Sequence, residues 1–347
     1  METRLLPKVE EWVREALARD ASDLFLLPGE PPAIRLRGLI ERTDGEPLTG
    51  EEVREMAAAA IGEENLAKVG PVVGKFHRWC GVPGDFNVGV CVARSHGEYT
   101  MTVRVMPNRI FSVEEMLFPE AMIKAALSPN GLVVVAGHVG SGKTTGLLGL
   151  VDHINANVDG VHICTVEGPN HMVIPAKKAL VQQREIGVDV PSALAGIEAA
   201  QGQDQDVLMI GEIATVEELQ ACIATAQTGH MVLTQLHASS PEEAIQRMID
   251  VFPEDVRAVS RKALAHVLRG VSAQQLVPRA DGGGRLAVYG VLIPDDEMRE
   301  AIAEGRDFMA RKTPWPEGCQ RMADHIERLR AEGVITEERA RIALDRL

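Results

Sequence analysis

"VVVAGHVGSGKTTGLLGL", residues 133–150, decides how the central part of the chain must fold. A short apolar run ends at Gly137. The spacing G-x-x-x-x-G-K-T then runs from Gly137 to Thr144, and a helix-like stretch follows. Glycines let successive backbone N–H groups turn inward around phosphate oxygens. A helix starting just behind them points its positive end at the same anion. The strand before and the helix after supply the context that the spacing requires. The expected nucleotide contacts are Gly137, His138, Val139, Gly140, Ser141, Gly142, Lys143, Thr144 and Thr145. Lys143 is expected to reach the β- and γ-phosphates, and the Thr144 hydroxyl to ligate Mg²⁺.

Outward from this loop, "LVVVAG", "VHICTV", "DVLMIG" and "MVLTQL" are short, nearly continuous apolar runs separated by helical stretches. Runs of that kind suit strands covered on both faces. Their alternation with helices predicts a parallel, doubly covered α/β sheet. Ligands of such sheets bind at the carboxyl ends of the strands. Two acids end strands there: Glu212 closes "DQDVLMIGE" and Glu167 stands in "CTVEGPNH". A carboxylate beside a phosphate loop can polarise the attacking water or order Mg²⁺ through water. "TGHMVLTQLHASS" places His230 before a strand and His237 after it, so the two need not share one site. Spacing leaves His237 with two readings, a structural ring or a sensor of the γ-phosphate.

The amino-terminal part has a different texture. "PKVEEWVREALA" sets Val9, Trp12, Val13, Ala16 and Leu17 on one helical face. "DLFLL" and "AIRLRGLIER" read as strands, residues 50–67 as a helix, and "FNVGVCVAR" with "YTMTVRVM" as a hairpin joined by "SHGE". Ser112 and Glu115 stand in capping-box spacing and predict a short connecting helix. The chain after about Pro294 reads as helical, with Gly333 ending one helix and Thr336 capping the next, Glu338 in its first turn. Four segments follow: an amino-terminal domain over 1–108, a linker over 109–118, a core that carries the phosphate loop over 119–293 and a helical part over 294–347.

The 347 residues carry 36 Lys and Arg against 50 Asp and Glu, for a net charge of −14. That balance excludes a dedicated nucleic-acid binder, which needs a basic face to neutralise phosphates. No apolar run approaches the roughly 20 residues needed to span a bilayer, and the charged start lacks the apolar core of a signal peptide. Cys80, Cys91, Cys164, Cys222 and Cys319 form no C-x-x-C pair, so free thiols in a reducing compartment are expected rather than a zinc site.

Taken in order, these stretches resemble the secretion ATPase superfamily of type II secretion and type IV pili, and within it the pilus retraction motors of the PilT and PilU group. "GLVVVAGHVGSGKTT" is similar to the family's Walker A motif, "TVEGPNH" to its aspartate box, "DVLMIGEI" to Walker B and "TGHMVLTQLH" to its histidine box. "QQREIG", "AIQRMIDVFP" and "SAQQLVPR" also fit. The resemblance implies a PAS-like amino-terminal domain, a RecA-like P-loop ATPase domain and a helical carboxyl-terminal part. It implies ATP and Mg²⁺ as ligands, Glu212 and Glu167 as catalytic acids with His237 and His230 nearby, and Arg94 and Arg104 reaching the phosphates. Spacing alone reads these two arginines equally as solvated strand residues. The partners implied are five further copies in a homohexamer, an inner-membrane pilus platform protein and a paralogous motor ATPase, with the chain cytoplasmic at the inner face of the cell membrane. The function implied is pilus retraction driven by ATP hydrolysis. The alternative is a nucleotide-binding regulator with little turnover.

The sequence departs from the family pattern in three places. Gly168 and His171 stand where the aspartate box carries its later acids. Ala214 and Thr215 replace an arginine and an acid after Walker B. Glu198 and Gly202 replace two arginines before it. Arginine makes bidentate contacts that neither substitute can copy, so slow turnover is expected.

Overall fold

The computed structural model describes residues 5–19, 21–36, 39–70, 75–82, 86–107, 109–170, 172–310 and 313–347. It divides into two units, Met1–Arg109 with Pro169–Met172, and Ile110–Gly168 with Val173–Leu347.

In the smaller unit, α1 (Pro7–Ala18) starts with a proline, whose missing N–H is no loss in a first turn. Strands β1 (Ala21–Leu26), β2 (Ala33–Leu36) and β3 (Leu39–Arg42) follow. "AIRLRGLIER" is therefore two antiparallel strands, paired from Ala33↔Arg42 to Leu36↔Leu39. The apolar pattern carries no break between them, so the stretch reads as one strand where there are two. Thr49 and Glu52 form a reciprocal capping box at the start of α2 (Gly50–Ile61). The helix expected over 50–67 breaks at Gly62 and resumes as α3 (Glu63–Lys68). Strand β4 (Lys75–Val82) was not foreseen. It pairs with the hairpin of β5 (Phe86–Ser95) and β6 (Glu98–Pro107), which turns through His96 and Gly97 as "SHGE" predicts. The six strands run β3-β2-β1-β6-β5-β4, each pair antiparallel. Val9 and Val13 of α1 and Val53, Met56 and Ala57 of α2 share one buried cluster with Val88, Val90, Val92, Met101 and Val103 of the hairpin.

In the larger unit the short connecting helix expected after Ser112 does not form. Ser112 and Glu115 do exchange capping bonds, with Glu115 N donating to Ser112 Oγ at 3.2 Å and Ser112 N donating to Glu115 Oε2 at 2.9 Å. No helix follows, because Leu117 is held at φ 50° in the left-handed region. The helix starts instead after Pro119, as α4 (Glu120–Ala126). Then come β7 (Gly131–Gly137), α5 (Lys143–Asn157), β8 (His162–Glu167), β9 (Leu180–Glu185), α6 (Ala193–Gln201), β10 (Val207–Glu212), α7 (Val216–Gln227) and β11 (Met231–Leu236). Helices α8 (Pro241–Asp250) and α9 (Glu254–Val267) lead to β12 (Leu268–Pro278) and β13 (Arg285–Leu292). Helices α10 (Asp296–Glu304), α11 (Met322–Ala331) and α12 (Glu337–Leu344) close the chain. Thr336 caps α12 as its sequence predicts, with Arg339 N donating to its hydroxyl.

The seven-stranded sheet runs β13-β12-β7-β11-β10-β8-β9. Every pair from β12 to β9 is parallel, and only β12 with β13 is antiparallel. All seven residues of β7 are buried, as a central strand covered on both faces requires. The largest cluster of the unit draws on β7, β8, β10, β11 and β12 together with α6, α7, α8, α9 and the closing helices. This α/β order sends the carboxyl ends of β7, β8, β10 and β11 to one edge. No described helix is long and apolar enough to cross a membrane.

Candidate active site

The phosphate loop joins β7 to α5 at that edge. Gly137 has no room for a side chain: a Cβ there would meet Ser141 Oγ and lie 2.6 Å from the Gln274 carbonyl oxygen. Gly142 takes a left-handed φ of 87° at the N-cap of α5 and offers no capping side chain. The first N–H groups of α5 are thus uncapped by any side chain, as an anion-binding helix end needs. His138, Val139 and Gly140 are exposed at the loop tip, whereas Ser141 and Lys143 are buried. Thr145 is half-buried in the first turn.

Three side chains from three elements meet beside the loop. Lys143 Nζ donates to the His138 carbonyl oxygen at 2.9 Å and lies 3.2 Å from His237 Nδ1. An ammonium can only donate, so Nδ1 accepts and the ring proton sits on Nε2. That Nε2 is 3.0 Å from Glu212 Oε1. One tautomer of His237 therefore links the loop lysine to the strand-end carboxylate. Burial pulls the Lys143 ammonium below the ordinary lysine range, and the charge of Glu212 opposes that pull.

Glu167 and Glu212 end neighbouring strands but differ in exposure. Glu167 is 1% exposed, whereas the Glu212 side chain is 45% exposed. Register places Val166 opposite Ile210, so Gly211 stands beside Glu167. A Cβ on Gly211 would lie 3.6 Å from Glu167 Cα. Glu212 is therefore open to solvent at this edge, and Glu167 is not.

Two glutamines complete the edge, and sequence reading gave neither a role. Gln235 of β11 is 7% exposed and accepts the Thr144 hydroxyl through Oε1 at 3.1 Å. Gln274 of β12 is 4% exposed and donates Nε2 to the Ser141 carbonyl oxygen at 2.9 Å, bracing the loop from beneath. A glutamine within a strand is the only trace the sequence carries of either, and its burial and partner are set by the fold.

The remaining expected residues lie elsewhere. His230 precedes β11, and its carbonyl accepts from Gly131 N at the amino end of β7, so the structure does not bring it to the edge of the phosphate loop. In the smaller unit the Arg94 guanidinium stacks 4.6 Å from the Tyr99 ring centroid. There Arg104 Nε donates to Asp23 Oδ1 at 3.2 Å. His171 lies outside the described residues.

The profile of the family described as Type II/IV secretion system protein matches residues 93–341. The chain belongs to this family. It is 30% identical over 336 residues to the type IV pilus retractation ATPase PilT of Pseudomonas aeruginosa, covering 96% of this chain and 97% of that protein. It is also 30% identical over 347 residues to the type IV pilus ATPase PilU of the same organism, covering 95% of this chain and 87% of that protein. A crystal structure of the pilus retraction motor PilT with bound ADP superposes with a TM-score of 0.84 at 30% identity, covering 96% of each chain. The protein is thus a PilT/PilU-like secretion ATPase.

The secretion ATPase departures now have local explanations. Thr215 caps α7 in a reciprocal box with Glu218, whose Oε2 also accepts from Ala214 N at 2.7 Å. Glu198 is exposed on α6, and Gly202 ends that helix. Arg184 of "QQREIG" is 6% exposed and donates to Cys164 Sγ, the Gly196 carbonyl and the side chain of Gln203, tying β9 to β8 and α6. Gly168 lies tight against β9: a Cβ there would sit 3.1 Å from Ile186 Cβ. Trimming Ile186 cannot relieve a contact made by its Cβ. Its backbone is also fixed, since Ile186 N donates to the Glu167 carbonyl at 2.7 Å. Gly168→Ala should therefore lower Tm by about 2–4 °C, the shift that about 1 kcal/mol produces in a domain of this size. Calorimetry showing an unchanged or raised Tm would mean that the end of β9 yields freely. Restoring the family acids with Gly168→Asp and His171→Glu should raise turnover, and the same contact makes that gain cost stability.

Proposed function

We propose that the chain is a cytoplasmic, hexameric motor that couples ATP hydrolysis to type IV pilus retraction. The observation that carries this reading is the Lys143–His237–Glu212 chain at the phosphate loop, in a protein similar over almost its whole length to a retraction ATPase. Mg²⁺ fits the hard oxygen donor that the loop offers, the Thr144 hydroxyl, together with the phosphate oxygens of the nucleotide. Bound with the nucleotide, it would neutralise charge on the phosphate oxygens. Lys143 holds the terminal phosphates, while Glu212 orients the attacking water and accepts its proton. His237 fixes the Glu212 carboxylate through its Nε2 proton. Arg94 and Arg104 are proposed to add positive charge at the phosphates when they leave Tyr99 and Asp23. The partners proposed are an inner-membrane pilus platform protein and a paralogous motor ATPase.

A second reading, a regulator with little turnover, is favoured by Gly168 in the aspartate box and by Ala214 and Thr215 after Walker B. The regulator would be a ring subunit or a partner of a true motor. Light scattering with a non-hydrolysable ATP analogue should give the mass of six subunits. A monomer at every concentration, with and without nucleotide, would remove both the ring and the motor.

A further inference from the structure

We infer that Gln235 is a positioning residue for the nucleotide's divalent cation, acting through Thr144. This rests on the proposed Mg²⁺·ATP reading of the same site. A hydroxyl has one proton and two lone pairs. Thr144 Oγ1 gives its proton to Gln235 Oε1 at 3.1 Å, which leaves the lone pairs of that oxygen for a cation.

The acceptor is rigidly placed. Gln235 lies near the end of β11, between β7 and β10, paired with Val135 on one side and Glu212 on the other. It is 7% exposed, and its Oε1 is engaged by the Thr144 hydroxyl. The neutral amide also suits the place. A carboxylate would set a second negative charge next to Glu212 in register, whereas the amide carbonyl orients the hydroxyl without adding charge. Partners that orient a metal ligand from behind typically govern about 10- to 100-fold of metal affinity.

The test is the affinity of a fluorescent ATP analogue, measured in Mg²⁺ and again in EDTA. For the wild-type chain, Mg²⁺ should tighten binding. In Gln235→Leu that gain should fall by about 10- to 100-fold, with the affinity in EDTA unchanged. Gln235→Glu keeps an acceptor at the same reach and should keep most of the gain. Thr144→Val removes the ligand oxygen itself and should lose at least as much of the Mg²⁺ gain, and the double variant should lose no more of it than Thr144→Val alone. If Gln235→Leu weakens binding equally in Mg²⁺ and EDTA, or leaves the Mg²⁺ gain intact, the inference is overturned. If the wild-type chain binds equally in both, the Mg²⁺ reading itself fails and the inference falls with it, an outcome distinct from the other two.

Discussion

Glu212→Gln should stop ATP turnover while leaving ATP bound. The substitution keeps the shape of the side chain and still offers an oxygen to His237 Nε2, 3.0 Å away in the wild-type chain. It removes the negative charge that accepts the proton of the attacking water. A positioned base contributes about 10²–10⁴-fold, so phosphate release should fall by at least about two orders of magnitude. Nucleotide should still bind, because Glu212 lies outside the loop and Lys143 keeps its contact to the His138 carbonyl, although losing the charge that opposes the burial of Lys143 should weaken binding somewhat. Phosphate release measured beside analogue affinity separates the two effects. A Glu212→Gln protein that still turns over would move the base elsewhere, with the buried Glu167 as the remaining strand-end acid.

Lys143→Ala should act on the other half of the cycle. Lys143 is buried and held by the His138 carbonyl and His237 Nδ1. Removing it deletes a charge-assisted contact worth about 1.5–3 kcal/mol, so analogue affinity should fall more than about tenfold. The fold should survive, because burial already disfavours this charge. The same depressed ionisation gives a pH signature. The folded protein releases the Lys143 proton below the ordinary lysine range, and phosphate needs that proton in place. Affinity should therefore decline as pH rises through a range lower than a free lysine would show. Lys143→Arg should abolish the decline, since a guanidinium stays charged. Unchanged affinity in Lys143→Ala, measured by fluorescence titration, would remove the phosphate-loop assignment.

What could be read from the sequence was what lies close along it. The G-x-x-x-x-G-K-T spacing is local, and its strand and helix flank it directly. Glu167 and Glu212 were legible as charges ending apolar runs, and the parallel sheet followed from the texture of those runs. Gln235 and Gln274 were not legible. Each sits inside an apolar run as one more polar strand residue, and its partner is 91 or 133 positions away. Only the register of β11 and β12 against β7 brings them under the loop. His230 shows the converse. A histidine beside a strand gains its meaning from which end it occupies, and parallel pairing sets that end away from the nucleotide edge. The division of "AIRLRGLIER" into two strands was hidden because its apolar pattern carries no break, and the capping box at Ser112 misled because Leu117 turns left-handed before a helix can grow.

The central claim is that Glu212, held by His237 beside Lys143, makes this chain a working ATPase despite Gly168 in its aspartate box. The most direct measurement is steady-state phosphate release by the wild-type protein in Mg²⁺ and ATP, with Glu212→Gln as the baseline. The account predicts slow release, well above that baseline and abolished by Lys143→Ala. Release by the wild-type chain that cannot be distinguished from Glu212→Gln would contradict it and leave a nucleotide-binding regulator.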